Sequence, residues 1–571
     1  MTSLSRLLCF SLFLTGAALV TAPGDTFAQT PDAKSKGSGS ISGRATIGAK
    51  GAPGIAIAAY GGDFNNRRAV AQTTTDSEGR YRLFGLAAGT YQVAALAPNY
   101  ASVEPASPSP FGPITFGASK NIVLAPAENV DDIDIKLVRG SVITGRVKDA
   151  DGKPVVEQRV ALAPVNETGA PARTASALPN NSQMYQTDDR GVYRLYGLPA
   201  GRYKVSVGTD PSRGTAYTGS HIYYPRTFFG DVTDPAKATV VELSEGGEAG
   251  NIDIQVGRRG ETYSATGRIV DADSGQPIPG VRFTYGPAPK NQPYFSGFVT
   301  GIATNALGEF RIEGIEPGRY GVSVSSDFES TSVYSDPAFF EVTDGDVSNI
   351  EVKAVRGLNM SGVVVTDGIT NKDVLAQLSS MRISASVAST SKPQTYNSGS
   401  SLIAGDGSFS ISGLRPGKAG LYLSSVGNPG IRGLTITRIE REGVDVTRTL
   451  ELMAGQSLSD VRVFLIFGTG TIRGTVKFEN GTLPPGSRIF IGARREGSSA
   501  GNYGAQLDSR GRFVMTNLAA GTYEVNLSLG FPPGTQPQRR PQPAKQFVTV
   551  ADGAEAEVTF TVDLKAGQGS P

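Results

Sequence analysis

The sequence predicts an all-β protein, a tandem array of five antiparallel β-sandwich domains, and three observations predict it. A phrase made of a turn, a glycine, an aromatic residue and then Gly-Leu-x-x-Gly-x-Tyr recurs along the chain. Its leading glycines (Gly79, Gly191, Gly308, Gly407 and Gly511) are 112, 117, 99 and 104 residues apart. That period is too long for a solenoid unit of ~20–50 residues and suits one autonomous domain. Apolar and polar residues alternate through short segments, as in Asn251-Ile-Asp-Ile-Gln-Val256, the period of a strand with one buried face. Finally, the 72 glycines and 35 prolines punctuate those segments, while 39% hydrophobic residues are enough for folded cores.

The N-terminus reads as an export signal over residues 1–28. Arg6 precedes an apolar run from Leu7 to Val20, and Thr26-Phe27-Ala28 offers a small-residue cleavage site. The run is shorter than the ~20 residues a spanning helix needs, so no transmembrane segment is expected in the mature chain. Cys9 is the only cysteine, and cleavage would remove it. Residues 29–40 are small and polar and read as a flexible leader.

Each repeat then opens with a glycine-containing strand: Ile41–Ile47, Ile143–Lys148, Ala265–Val270, Met360–Val365 and Ile472–Lys477. The repeated turn follows, with Gly79, Gly191, Gly308, Gly407 and Gly511 as structural turn residues at positive φ. Tyr81, Tyr193, Phe310, Phe409 and Phe513 begin a stripe that faces the core. The Gly-Leu-x-x-Gly segment is a tight corner, where Asn517 stands in the fifth repeat as the best non-glycine substitute. Tyr91, Tyr203, Tyr320 and Tyr523 restart the apolar face, and in the fourth repeat the matching Tyr422 comes late. Helical spacing is briefly approached only at Lys372–Leu378. The sandwiches are expected at 41–139, 140–257, 258–357, 358–468 and 469–564, with a polar tail at 565–571. Their very short connections predict a semi-rigid rod.

With these motifs in place, the chain resembles the carboxypeptidase regulatory-like domain, most closely in repeats one to three. Thr-Asp-x-x-Gly-x-Tyr at Thr75–Tyr81 and Thr187–Tyr193 carries the resemblance, as does Gly-Leu-Pro-x-Gly-x-Tyr-x-Val at Gly197–Val205. It implies a transthyretin-like (prealbumin-like) sandwich, related to the carbohydrate-binding-like fold, and a domain that is not itself catalytic.

The residues hold little catalytic chemistry. A single histidine, His221, excludes a His-Glu-x-x-His metal site, and no Gly-x-Ser-x-Gly elbow accompanies it. No catalytic residue, metal site or cofactor is expected. A formal net charge of +2 without a basic stripe argues against nucleic acid as a partner. Carbohydrate binding is the most specific idea, because sugar sites use flat aromatic rings beside polar groups. The densest candidate is Tyr223, Tyr224, Arg226, Phe228 and Phe229, with Pro293–Phe298 as a second. The expected role is binding of a polysaccharide or envelope polymer in the periplasm or at the cell surface. A protein-interaction spacer, or an accessory module of a separate transporter or peptidase, is the alternative.

Overall fold

The computed structural model describes residues 38–564 except 62–68, 103–118, 170–184, 209–223, 259, 289–297, 325–331, 390–395, 426–430, 432, 448–449, 485–486, 497–501 and 532–543. The described chain is mostly strand. Its one α-helix, Lys372–Gln377, starts where Asn371 accepts hydrogen bonds from the Asp373 and Val374 amides. Among the described residues no helix is long and apolar enough to cross a membrane. Residues 1–28, where an export signal is expected, lie outside the described residues.

Buried apolar side chains among the described residues gather into five clusters, one in each repeat. Two sheets enclose each cluster. In repeat one, Gly39–Ile47 lies between Arg80–Leu86, its antiparallel neighbour, and Ile135–Arg139, which runs parallel to it. The facing sheet orders its strands Ala69–Thr74, Ala56–Gly61, Gly89–Ala95 and Ser119–Leu124. Repeat five repeats the plan, with Gly470–Glu479 parallel to Glu555–Asp563 along nine residue pairs. The sandwiches are therefore mixed rather than purely antiparallel. The opening and closing strands of a repeat are neighbours in one sheet, and the path between them ends on the side that makes them parallel.

The repeated phrase explains this core. All five leading glycines have φ between 70° and 84°, a region where a side chain would strain the backbone. In repeat two, Asp188 Oδ1 accepts from the amides of Arg190 and Val192, which closes the turn. Asp76, Asn305 and Asp508 do the same in repeats one, three and five. The following aromatic rings are buried, and each crosses a glycine of the opening strand. A Cβ on Gly474 would sit 2.0 Å from the Phe513 ring, and one on Gly145 2.8 Å from the Tyr193 hydroxyl. Further on, Tyr91, Tyr203, Tyr320 and Tyr523 each donate to the carbonyl four residues back, which pins the corner.

Repeats one and two, and repeats three and four, meet through glycine. Gly140 joins repeats one and two, and a Cβ there would lie 2.4 Å from the Gly197 Cα in the next repeat's corner. Gly357 packs on Gly413 in the same way, at 2.3 Å. Arg415 adds an ion pair to Asp336 across that joint, at 2.8 Å, while stacking over Tyr334. These joints do not set a straight rod. Repeat five contacts repeat one: Asn121 donates to Gln506 and the Val123 amide donates to Asp508.

Candidate functional site

The aromatic cluster expected near residue 223 is divided by the fold. Tyr223 and His221 lie outside the described residues. Tyr224 and Phe228 are 8% and 6% exposed, and Tyr224 belongs to the core cluster of repeat two, with Phe229 packed against it. Thr227–Phe228 pairs with Ser206–Val207, and Phe228, opposite Ser206, faces away from the core that Val205 and Val207 enter. Arg226 covers Phe228 at 5.2 Å and donates to the Ser206 hydroxyl. Tyr224 therefore belongs to the core and Phe228 is covered on the outer face beneath Arg226, so neither ring is the open platform expected for a sugar. Pro293–Gly297 of the second candidate also lie outside the described residues.

Open aromatic rings occur instead on repeat four. The register explains why sequence spacing missed them. Gly417-Lys418-Ala419 aligns with Gly89-Thr90-Tyr91, so alanine occupies the place of the corner tyrosine. Tyr422, three residues later, points out of the sandwich and is 47% exposed. It stands opposite Ser384 of strand Met381–Ala388, whose far side pairs with Tyr396–Leu402. Tyr396, 66% exposed, stands opposite Ala388. Four residues along and two strands across place the two tyrosines about 16 Å apart at ordinary sheet spacing.

Between them the outward positions are small and hydroxylated. Ser384 faces Ser400 and Ser386 faces Ser398, while Gly420 completes the second row. Ser384 and Ser424 share a hydrogen bond of 2.7 Å, and Arg382 donates to Ser400. Small side chains leave a flat floor, and their hydroxyls both donate and accept. The face offers two rings for stacking, a polar floor for hydroxyl pairing and a guanidinium at its end.

Repeat five carries a related face. Phe490 and Phe547 are exposed and stand opposite Ser528 and Glu524 of one strand, again four residues along and two strands across. Gly492 and Asn526 lie between them. The signal for both faces was an aromatic residue out of phase with its strand's apolar alternation.

Among the described residues no group of three His, Cys, Asp or Glu side chains is placed to hold a metal ion. Burial raises Tyr203 to about 12 and holds Tyr193 well above the ordinary phenol range, the behaviour of structural tyrosines.

Similar solved structures include the Streptococcal ancillary pilin, at 14% identity and a TM-score of 0.25, covering 56% of this chain and 98% of that one. The major pilin subunit of Bacillus cereus gives 11% and 0.15, covering 53% and 99%. The minor pilin of Streptococcus agalactiae gives 14% and 0.22, covering 41% and 100%. No curated protein matches the chain. The Carboxypeptidase regulatory-like domain family matches residues 40–138 and 264–355, the first and third repeats. Over these two segments, each with its own core and mixed sheet, the chain is similar to carboxypeptidase regulatory-like domains.

Proposed function

We propose that this chain is an exported, non-catalytic scaffold that binds a polysaccharide of the cell envelope on the outer sheet faces of repeats four and five. The observation that carries the reading is the pair Tyr396 and Tyr422, both exposed above a serine floor on one sheet. A soluble sandwich usually keeps large rings inside, and an exposed aromatic face is more informative than a buried one. The apolar run at Leu7–Val20 supports export, and the matched family supports a binding module rather than an enzyme. Two modest faces on adjacent repeats would gain avidity on one polymer chain.

The test is binding of the purified chain to a panel of cell-wall and capsular polysaccharides. Tyr396→Ala/Tyr422→Ala is compared with Phe490→Ala/Phe547→Ala and with wild type. Loss of a stacking ring costs about 1–2 kcal/mol, roughly tenfold in affinity. Saturable binding weakened by the tyrosine pair is the expected result. Binding unchanged in both variants would remove these faces from the function. No binding to any polymer would leave a protein-interaction spacer as the reading.

A further inference from the structure

The contact between repeat one and repeat five joins residues that are 385 positions apart, yet it is built as closely as a core turn. Asp508 closes the fifth-repeat turn with its Oδ1 and turns its Oδ2 to the Val123 amide of repeat one, 3.1 Å away. Its side chain is fully buried. Arg510 and Arg512 flank it, and both donate to the Val123 carbonyl and to Glu128 Oε1. Glu128 Oε2 accepts from the Ala125 amide, which fixes the carboxylate toward the two guanidinium groups. Asn121 donates to Gln506 at 2.8 Å and accepts the Ser509 amide through its carbonyl. The face on repeat one is an edge strand with one anionic group, and the face on repeat five is a turn with two cationic ones. The two surfaces are complementary but different, so the joint is heterologous.

The connections between repeats are uneven. Gly140 alone separates the strands of repeats one and two, Gly357 those of repeats three and four, and residues 468–469 those of repeats four and five. Between repeats two and three the strands end at Gln255 and resume at Tyr263. This longest connection divides the chain into a leading pair and a trailing trio. Exchange of an identical element between copies needs a connection that can turn, and this one is the longest of the four.

We propose that the repeat-one/repeat-five joint is exchangeable, and that two copies of this chain form a reciprocal dimer in which the fifth repeat of each docks on the first repeat of the other. Every contact of the closed monomer is kept in such a dimer, because the partner supplies the same residues. Reciprocal exchange also uses both joints, whereas an open head-to-tail chain leaves one at each end unmade. The choice between closed monomer and dimer is then set by protein concentration against the effective concentration within one chain. The occupant of the repeat-one face is a second copy of this chain, and its recognition elements are Asp508, Arg510 and Arg512 facing Asn121, Val123 and Glu128. This proposal is independent of polysaccharide binding.

The experiment uses the full chain carrying Cys9→Ser. One version adds Asn121→Cys, another adds Gln506→Cys, and a third adds both. A short bismaleimide crosslinks the third version within one chain at low micromolar concentration if the joint exists. The two single-cysteine chains are mixed, concentrated and then crosslinked. A product of two chains joined between positions 121 and 506, identified by peptide mass, is expected. Adding Glu128→Ala/Arg510→Ala/Arg512→Ala should cut its yield by about tenfold or more, since charge-assisted contacts are lost. Sedimentation equilibrium of the unsubstituted chain is expected to show monomer and dimer without larger species, and it requires no variant to fold. Crosslinking within one chain but never between chains would overturn the exchange. Absence of both products in folded chains, or a sedimentation profile that stays monomeric at every concentration, would overturn it as well.

Discussion

The phenol of Tyr193 donates to the carbonyl of Ile252 at 2.5 Å, and Tyr81 makes the same bond to Ile133 in the preceding repeat. The bond ties the ring after the turn to the segment that leads into the closing strand. It is possible only because Gly145 and Gly43 carry no side chain between the two: a Cβ on either would lie 2.0 or 2.2 Å from the accepting carbonyl oxygen. Repeats three to five place Phe310, Phe409 and Phe513 there, keeping the packing without the bond.

Tyr193→Phe should therefore destabilise repeat two by about 1 kcal/mol, the net value of one buried hydrogen bond, while Tyr193→Ala should cost about 3–5 kcal/mol through the cavity. Urea titration of the chain, read by near-ultraviolet circular dichroism, measures both. Equal losses in the two variants would mean that the hydroxyl, rather than the ring, carries the stability.

Gly79 and Gly152 have nearly the same φ, 80° and 78°, but different surroundings. A Cβ on Gly79 meets the Ala45 carbonyl oxygen at 2.3 Å, whereas one on Gly152 meets nothing within 4 Å. Gly152→Ala is expected to cost only the backbone term, about 1–2 kcal/mol. Gly79→Ala should cost measurably more, and thermal melts of the two variants compare them directly.

Acid should loosen the turns. The Val192 amide is the main hydrogen bond holding the Asp188 carboxyl below the ordinary range, with help from Arg190, and the Ser408 side chain and amide do the same for Asp406. A carboxylate with a lowered folded value stabilises the fold above its unfolded value and loses that contribution as pH falls through the folded one. Melting temperature is expected to drop between pH 4 and pH 2, and Asp188→Asn should flatten part of that drop. Asp508 runs the other way: burial beneath repeat one pushes it up against the Arg512 and Val123 amides.

Base should act through the corner tyrosines. Burial pushes Tyr203 from 10.0 to about 12. A raised folded value gives stability that is complete below the unfolded value and is lost as pH rises toward the folded one. Between about pH 10 and pH 12 this residue contributes a loss of roughly 2–3 kcal/mol. Tyr203→Phe should shift the alkaline unfolding midpoint upward, and absorbance at the phenolate band follows the titration directly.

Much of the architecture was legible in the residues because one phrase is repeated. The turn glycines, the buried ring after each of them and the corner at Asn517, with φ of 59°, all follow from local chemistry. Two features were not legible. The parallel pairing of opening and closing strands depends on chain path, since alternation gives the same signal for either direction. The open face on repeat four was hidden by register. Tyr422 looked like a delayed corner tyrosine, but the gap places it on the opposite face, where Ala419 has taken the inward position. The cluster at Tyr224–Phe229 misled for the converse reason: adjacent aromatics in a two-residue strand and its flanks can find cover on either side of a sheet, Tyr224 in the core and Phe228 beneath Arg226.

The parallel pairing has a mechanical consequence. A repeat is entered by one strand and left by its parallel neighbour, as in Gly470–Glu479 beside Glu555–Asp563. Tension along the chain pulls the start of the first strand one way and the end of the second the other. The ladder between them is then loaded lengthwise, all rungs sharing the force, rather than peeled open one rung at a time. Under a steady pull each sandwich behaves as a clasp, and repeat five, with nine parallel paired positions against five in repeat one, three with Ile135–Leu137 and two with Asn129–Val130, should be the last of the two to yield.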